Sequence, residues 1–393
     1  MFSYLTAGES HGPGLVGILD GLPAHLRLDV ERIDETLRRR QGGYGRGARM
    51  QIESDAVEFL AGIRGGETLG SPIAVLVRNR DYLNPSVRAL MDPLTGSGPA
   101  LTNPRPGHAD FSGALKYRQR DLRNVLERAS ARETAMRVCL GAICAQFLEA
   151  LGITTHSCVD LIGGVEAPSI DDWNQDDVDA SEVRAPDVET AQRMMAAIDA
   201  AREAGDTLGG RFVIRVDGLT AGIGSNRQPN QRLDGVLAGA LMGMQTARSV
   251  EIGLGAESAR RSGSQAHDTF HLEGDAVGRG SNRAGGIEGG MSNGQPLVLR
   301  VSVKPIPTLR KALPSVNLHE RAHAPAGVVR SDVCVVSAAS LVGEAMVRLA
   351  LTGPILEKYG GDSMDETLDN LRRSNEAAAA LFAQPASKSA SLE

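Results

Sequence analysis

Short β-like stretches recur along the chain: LVGILDGL near the N-terminus, EFLAGIR, PIAVLVRN, GGRFVIRVDGL and PLVLRVSVKPI. Several of them alternate apolar and polar residues. That period of two turns one strand face to a core and the other to water, the habit of antiparallel sheets. Two further segments repeat at helical spacing. Over about 131–151, Ala131, Ala135, Val138, Ala142 and Ala145 form a stripe of small residues that Gly152 closes as a C-cap. Over about 232–247, Gly235, Gly239 and Gly243 recur at every fourth position. A glycine inside a helix costs roughly 1 kcal/mol against alanine, so three on one face predict tight packing against another helix or sheet. Both helices read as buried, which predicts a helix layer beneath sheets. Residues 86–101 and 166–187 read as surface loops, and no internal repeat is visible. The expected organisation is one catalytic domain over 1–375 and a frayed tail over 376–393.

Composition sharpens this picture. The chain has 393 residues, of which 46 are glycine and only 3% aromatic. Glycines scattered among apolar segments suggest closely approaching backbones and glycine-shaped loops around a ligand, not disorder. A net charge of −6 and a pI near 5.8 argue against a general nucleic-acid binder. Cys139, Cys144, Cys158 and Cys334 form no CxxC pair, which fits reduced thiols in a cytoplasmic protein. MFSYLTAGE has no basic region leading into an apolar one, and no apolar run approaches the ~18 residues of a membrane span. No signal peptide and no membrane contact are expected.

Six constellations could carry chemistry. In TAGESHGPG, Ser10 and His11 are adjacent, and consecutive side chains of an extended chain point to opposite faces. They make a poor nucleophile and base, and Glu9 before the serine breaks the G-x-S-x-G elbow of serine hydrolases. LRRRQGGYGRGARM supplies Arg38, Arg39, Arg40, Arg46 and Arg49: a solvated basic face, an RNA-binding strip, or an anion pocket, since guanidinium forks match carboxylate and phosphate. Residues 105–137 gather His108, Asp110, Lys116, Asp121, Arg128, Ser130, Arg132 and Glu133 around a helix start, where anions bind readily. His267 and His271 have the i, i+4 spacing of a zinc pair without a third ligand nearby. Gly285, Gly286, Gly289 and Gly290 could bare N–H groups to a phosphate, although neither the P-loop nor the Rossmann pattern is present. In VVRSDVCVV, Arg330 and Asp332 interrupt an apolar run, as a structural ion pair or with a catalytic carboxylate.

Taken together, GESHGP, RRQGGYGRGARM, RPGHAD, ERASARETA, RSGSQAHD, NRAGGIEGGMSNGQP, KPIPT and RSDVC resemble the chorismate synthase family in order and spacing, over about 1–373. The resemblance implies an α+β fold, a β-α-β sandwich with helices packed between antiparallel sheets, and a homotetramer. It implies a lyase that converts 5-enolpyruvylshikimate 3-phosphate to chorismate and phosphate by anti-1,4-elimination. Reduced FMN is required without net redox change, with NADPH as an indirect reductant; no extra reductase segment is visible, so externally reduced flavin is expected.

The same resemblance implies roles for residues. His11 would be the general acid at the departing phosphate, with Ser10 beside it. His108 would protonate or stabilise the reduced flavin. Asp332, with Ser130, would help remove the ring proton. FMN contacts are implied at Arg128, Ala129, Ser130, Gln245, Thr246, Gly289, Lys304, Pro305, Ile306, Pro307, Thr308 and Arg330. Arg40, Arg46, Arg49 and Arg132 would hold the substrate's anionic groups, and the family links the first two to NADP. Ser337 stands where many relatives have proline, and 322–327 is hard to align. The rival readings are a non-catalytic flavin- or RNA-binding protein on the same scaffold, and a serine hydrolase using Ser10.

Overall fold

The computed structural model describes residues 1–47, 53–168, 172–274, 276–327 and 332–381. Two antiparallel sheets enclose a layer of helices, so the architecture is α+β, the expected sandwich. The first sheet contains β1 (Ser3–Ala7), β2 (Gly14–Asp20), β3 (Glu58–Ala61) and β4 (Ile73–Arg78), in the order β1-β2-β4-β3. The second contains β5 (Thr154–Ile162), β6 (Val165–Glu166), β7 (Gly210–Asp217), β8 (Ala247–Ile252) and β9 (Leu297–Val303), in the order β8-β9-β7-β5-β6. Alternation decides what each face meets. Leu15, Leu19, Val75 and Val77 point into the core from the first sheet, and Phe212, Ile214, Leu299 and Val301 from the second.

The filling consists of α1 (Val30–Gln41), α5 (Thr134–Ala150) and α9 (Val336–Tyr359). Glycine is spent where these backbones meet. A Cβ on Gly141 of α5 would stand 2.5 Å from that of Ala345 on α9, and one on Gly343 would stand 2.6 Å from the ring of Phe212 on β7. Any larger residue would push the layers apart. Although α9 is long and apolar enough to match a membrane span, 72% of its apolar window is buried inside the protein. The helix start expected near 131 is a 3-10 turn, Ala131–Glu133, followed by α5, and Gly152 lies just past the end with φ +79°.

Three expectations are corrected. The segment 86–101 is not simply a loop, because α2 (Pro85–Met91) starts it, with Asn84 capping the Ser86 N–H and proline at the first turn. The segment 166–187 contains α6 (Gln175–Ala180) and buries Val178, Val183 and Ala185. The helix expected over 232–247 is α8 (Leu233–Met242), and its buried stripe is Leu233, Leu237 and Leu241. Gly235, Gly239 and Gly243 are exposed, and nothing among the described residues lies within 4 Å of a Cβ built on Gly239. Spacing identified a shared face correctly and assigned it the wrong neighbour. Residues 376–380 continue the last helix, α10 (Met364–Ala380), where fraying is expected.

Candidate active site

A cavity of about 780 Å³ opens between the end of α1, the β1–β2 loop, the 80–109 segment and the N-terminus of α9. That volume is in the range of small-molecule sites, ~300–1,000 Å³. Its walls are apolar at Leu126, Met244, Val335, Ala338, Ala339 and Val342, with charged groups set among them.

Local sequence explains how each group arrives. Asp29 caps α1, and Ile33, Leu37 and Arg40 then fall on its buried side, so the spacing that packs the helix also delivers Arg40 to the cavity. The β1–β2 loop carries Ser10 and His11. Gly8 sits there at φ +112°, and a Cβ on it would stand 2.4 Å from the Gly14 carbonyl, so this tight loop needs glycine. Asn79 ties the loop down by donating to the carbonyls of Glu9 (3.0 Å) and Gly12 (2.7 Å).

His11 is a third exposed, and its Nδ1 lies 2.9 Å from Oε1 of Glu127, which is on α4 (Arg123–Ala129). Its Nε2 is 4.0 Å from Asp81. Ser130 donates to Ser10 at 3.1 Å. The two side chains that adjoin in sequence have different partners, and they sit in a turn, not on the extended chain that the expectation of opposite faces assumed. Across the cavity, His108 approaches Asp110 at 2.5 Å, and the Arg105 fork grips the same carboxylate at 2.9 and 3.1 Å. Burial works against a charged Asp110, but the hydrogen bonds and charges of His108 and Arg105 outweigh it and hold the carboxyl well below the usual range. Asp332 accepts the Gly47 N–H and faces Arg46 at 3.3 Å.

Two arginines share the buried carboxylate of Asp55 unequally, Arg132 at 2.7 Å and the Arg40 Nη1 at 4.0 Å. Arg132 is spent inside the protein, on Asp55 (2.7 Å), Asn79 (2.8 Å) and Glu53 (3.6 Å). Arg40 donates to Thr134 and to the Ala131 carbonyl, but its buried Nη1 has no hydrogen-bond partner among the described residues. Burial first, and the charge of Arg46 next, lower its pKa to about 9. An orphaned buried N–H costs about 1–3 kcal/mol, which an anionic ligand would relieve. Lys304 reaches the Gly107 carbonyl, and burial together with Arg248 lowers its pKa.

The model of the family described as chorismate synthase matches residues 2–356. The chorismate synthase of Desulforudis audaxviator is 51% identical over 378 residues, covering 95% of this chain and 97% of that protein. That of Aquifex aeolicus is 48% identical, covering 92% and 94%. A solved structure, "Crystal Structure of Chorismate Synthase", superposes with a TM-score of 0.78 at 40% identity over 96% of this chain and 98% of its own.

The chain belongs to the chorismate synthase family.

Of the site residues expected from the chorismate synthase motifs, the cavity brings together Ser10, His11, Arg40, Arg46, His108 and Asp332. It also takes in Ala129, Ser130, Arg132, Gln245 and Thr246, with Lys304, Ile306, Pro307 and Thr308. Arg49 and Arg330 lie outside the described residues. Three expected contacts do not line it. Arg128 folds back on Thr6, at 2.9 Å from its carbonyl and 2.8 Å from its hydroxyl. Pro305 is exposed, between Lys304 and Ile306, which do line the cavity. Gly289 turns the small ribbon Ile287–Ser292, bridged to Gly224 beside α8. His267 and His271 share no helix face: His267 ends the turn Gly263–Ala266 and His271 is in the strand Phe270–Glu273. Asp81, Arg105 and Glu127 were missed. Only Arg105 had a local signal, its place beside His108 and Asp110.

Proposed function

We propose that this cavity releases phosphate from 5-enolpyruvylshikimate 3-phosphate to give chorismate, the last step of the shikimate pathway, with His11 as general acid. The observation that carries the assignment of roles is the convergence of His11, His108 and Asp332 on one cavity that also holds a buried arginine with an unused N–H. The substrate has two carboxylates and a phosphate, which suits Arg40 and Arg46. Arg132, already neutralised by Asp55 and Glu53, instead holds the 53–55 and 78–79 segments beside the site.

The apolar wall at the N-terminus of α9 suits a flat ring, and the Lys304 ammonium suits the phosphate at the end of the ribityl chain. These residues fit FMN, with Ala129, Ser130, Gln245, Thr246, Lys304, Ile306, Pro307 and Thr308 as its holders. Bound reduced FMN supplies electron density that the elimination borrows and returns. His11 gives its proton to the departing phosphate oxygen, a contribution typically of 10²–10⁴ in rate. His108, held by Asp110, faces the flavin side. Asp332, fixed by Arg46 and the Gly47 N–H, works with Ser130 in removing the ring proton. NADPH serves only as an indirect source of reduced flavin, with Arg40 and Arg46 as its contacts if it visits the site.

The same reading makes the enzyme a cytoplasmic homotetramer that acts on a small molecule and binds neither nucleic acid nor membrane. Support comes from the four buried free cysteines and from apolar surface left open on the first sheet at Leu5, Val16, Ile18 and Leu60. The test is strict anaerobic incubation with dithionite-reduced FMN and substrate, followed by chorismate absorbance. Product is expected. Its absence would favour a non-catalytic flavin- or RNA-binding protein.

A further inference from the structure

We infer that Glu127 is a positioning residue that decides which nitrogen of His11 works, and that Asp81 returns the proton this nitrogen spends. The inference rests on the reading of His11 as the general acid. Three contacts lock residues 10 and 11 to residue 127, which is 116 positions away from His11. The His11 N–H donates to Oε2 at 2.8 Å, its Nδ1 lies 2.9 Å from Oε1, and the Ser10 N–H donates to the Glu127 carbonyl at 3.1 Å. The Glu127 side chain is only 4% exposed, and among the described residues His11 is its one ion-pair partner. A buried carboxylate without a lysine or arginine is costly unless its neighbours donate to it.

An ionised carboxylate only accepts hydrogen bonds, so Nδ1 must carry a hydrogen toward Glu127. The nitrogen left to exchange a proton is Nε2, which lies 4.0 Å from Asp81. The two carboxylates differ in burial, 4% for Glu127 against 18% for Asp81, and both line the cavity. The buried one can hold an orientation and the more open one can exchange with water. In the elimination, the carbon–oxygen bond breaks with its electron pair on the phosphate oxygen, and that oxygen takes the Nε2 proton. Nδ1 keeps its hydrogen throughout. A proton from solvent then passes through the Asp81 carboxyl to the Nε2 lone pair, which restores the acid.

The test uses the full-length protein labelled with ¹⁵N-histidine, with the His11 resonances assigned from the signals lost in His11→Asn. In the wild type, the neutral ring should carry its hydrogen on Nδ1. In Glu127→Ala, the neutral ring should move toward the Nε2–H form. A wild-type neutral ring carrying its hydrogen on Nε2 would overturn the inference without any reference to activity. Kinetically, Glu127→Gln should lower kcat about 10–100-fold, the scale of losing a histidine's orienting carboxylate, with KM and FMN affinity unchanged and partial recovery in Glu127→Asp. Asp81→Asn should be slowed about tenfold, with the rate restored by added small buffer acids. Wild-type kcat in Glu127→Gln, or an Asp81→Asn enzyme indifferent to buffer acids, would refute the corresponding half. A wild type that makes no chorismate would instead defeat the underlying reading of His11.

Discussion

His11 and His108 face the same cavity, and each places Nδ1 against a buried carboxylate, yet the two supports are built differently. Asp110 is two residues from its histidine and is shared with the Arg105 fork. Glu127 comes from another element and serves His11 alone among the ion pairs of the described residues. The His108 side chain is 14% exposed against 32% for His11. A shared carboxylate fixes a ring in place. An unshared one, beside a second nitrogen that faces an open carboxylate, leaves the ring able to trade a proton. The same imidazole therefore suits a holding role at one wall and a transfer role at the other.

The largest effect should come from breaking the transfer side. His11→Ala is expected to cut kcat by about 10²–10⁴ while FMN still binds, measured by anaerobic turnover alongside flavin titration. Unchanged turnover would remove the distinction between the two histidines. Asp332→Asn comes next. Its carboxylate is pinned by an arginine, as Asp110 is, but is 20% exposed where Asp110 is 2% exposed. A loss of about 10²-fold in kcat is expected if cavity access, more than pairing, marks a working acid or base. Normal activity would end its role in proton removal. His108→Ala should act mainly on the cofactor, weakening reduced FMN about tenfold, or roughly 1.4 kcal/mol, by anaerobic titration. A loss in kcat as large as that of His11→Ala, with FMN affinity intact, would mean that the roles are divided otherwise.

The same contrast shows what could be read from the chain. RPGHAD contains a histidine, its carboxylate and the arginine that grips it, so a window of six residues displays most of one support. Nothing in LERAS announces that its glutamate meets a loop 116 positions earlier, because local text carries no information on tertiary pairing. The ion pairs of Arg132 are hidden from the sequence for the same reason. In the sequence that arginine reads as available to an anion, and Asp55 and Glu53 reach it from a distant segment. The strands and the buried helices were legible because periods of two and about four are local properties. The glycine face of α8 was not, since periodicity names the residues of a face and not what lies opposite. Gly235 and Gly239 share a helix with Leu233, Leu237 and Leu241, and only the leucines found the core.

The smallest effect concerns stability, and it probes the holding side. Asp110 has a carboxyl pKa depressed by His108 and Arg105 against the opposing pull of burial. A group whose folded pKa is depressed contributes stability that is complete above its unfolded value, ~3.9, and is lost as pH falls from there toward the folded value. Asp110→Asn should therefore be less stable than the wild type near pH 5, and the margin should narrow as pH falls below about 4. Urea midpoints across pH 3–8, followed by circular dichroism, would show the convergence. A margin that stayed constant to the lowest pH would mean that shape, not charge, makes Asp110 the anchor of His108. The asymmetry between the two histidines would then reduce to how each ring is packed.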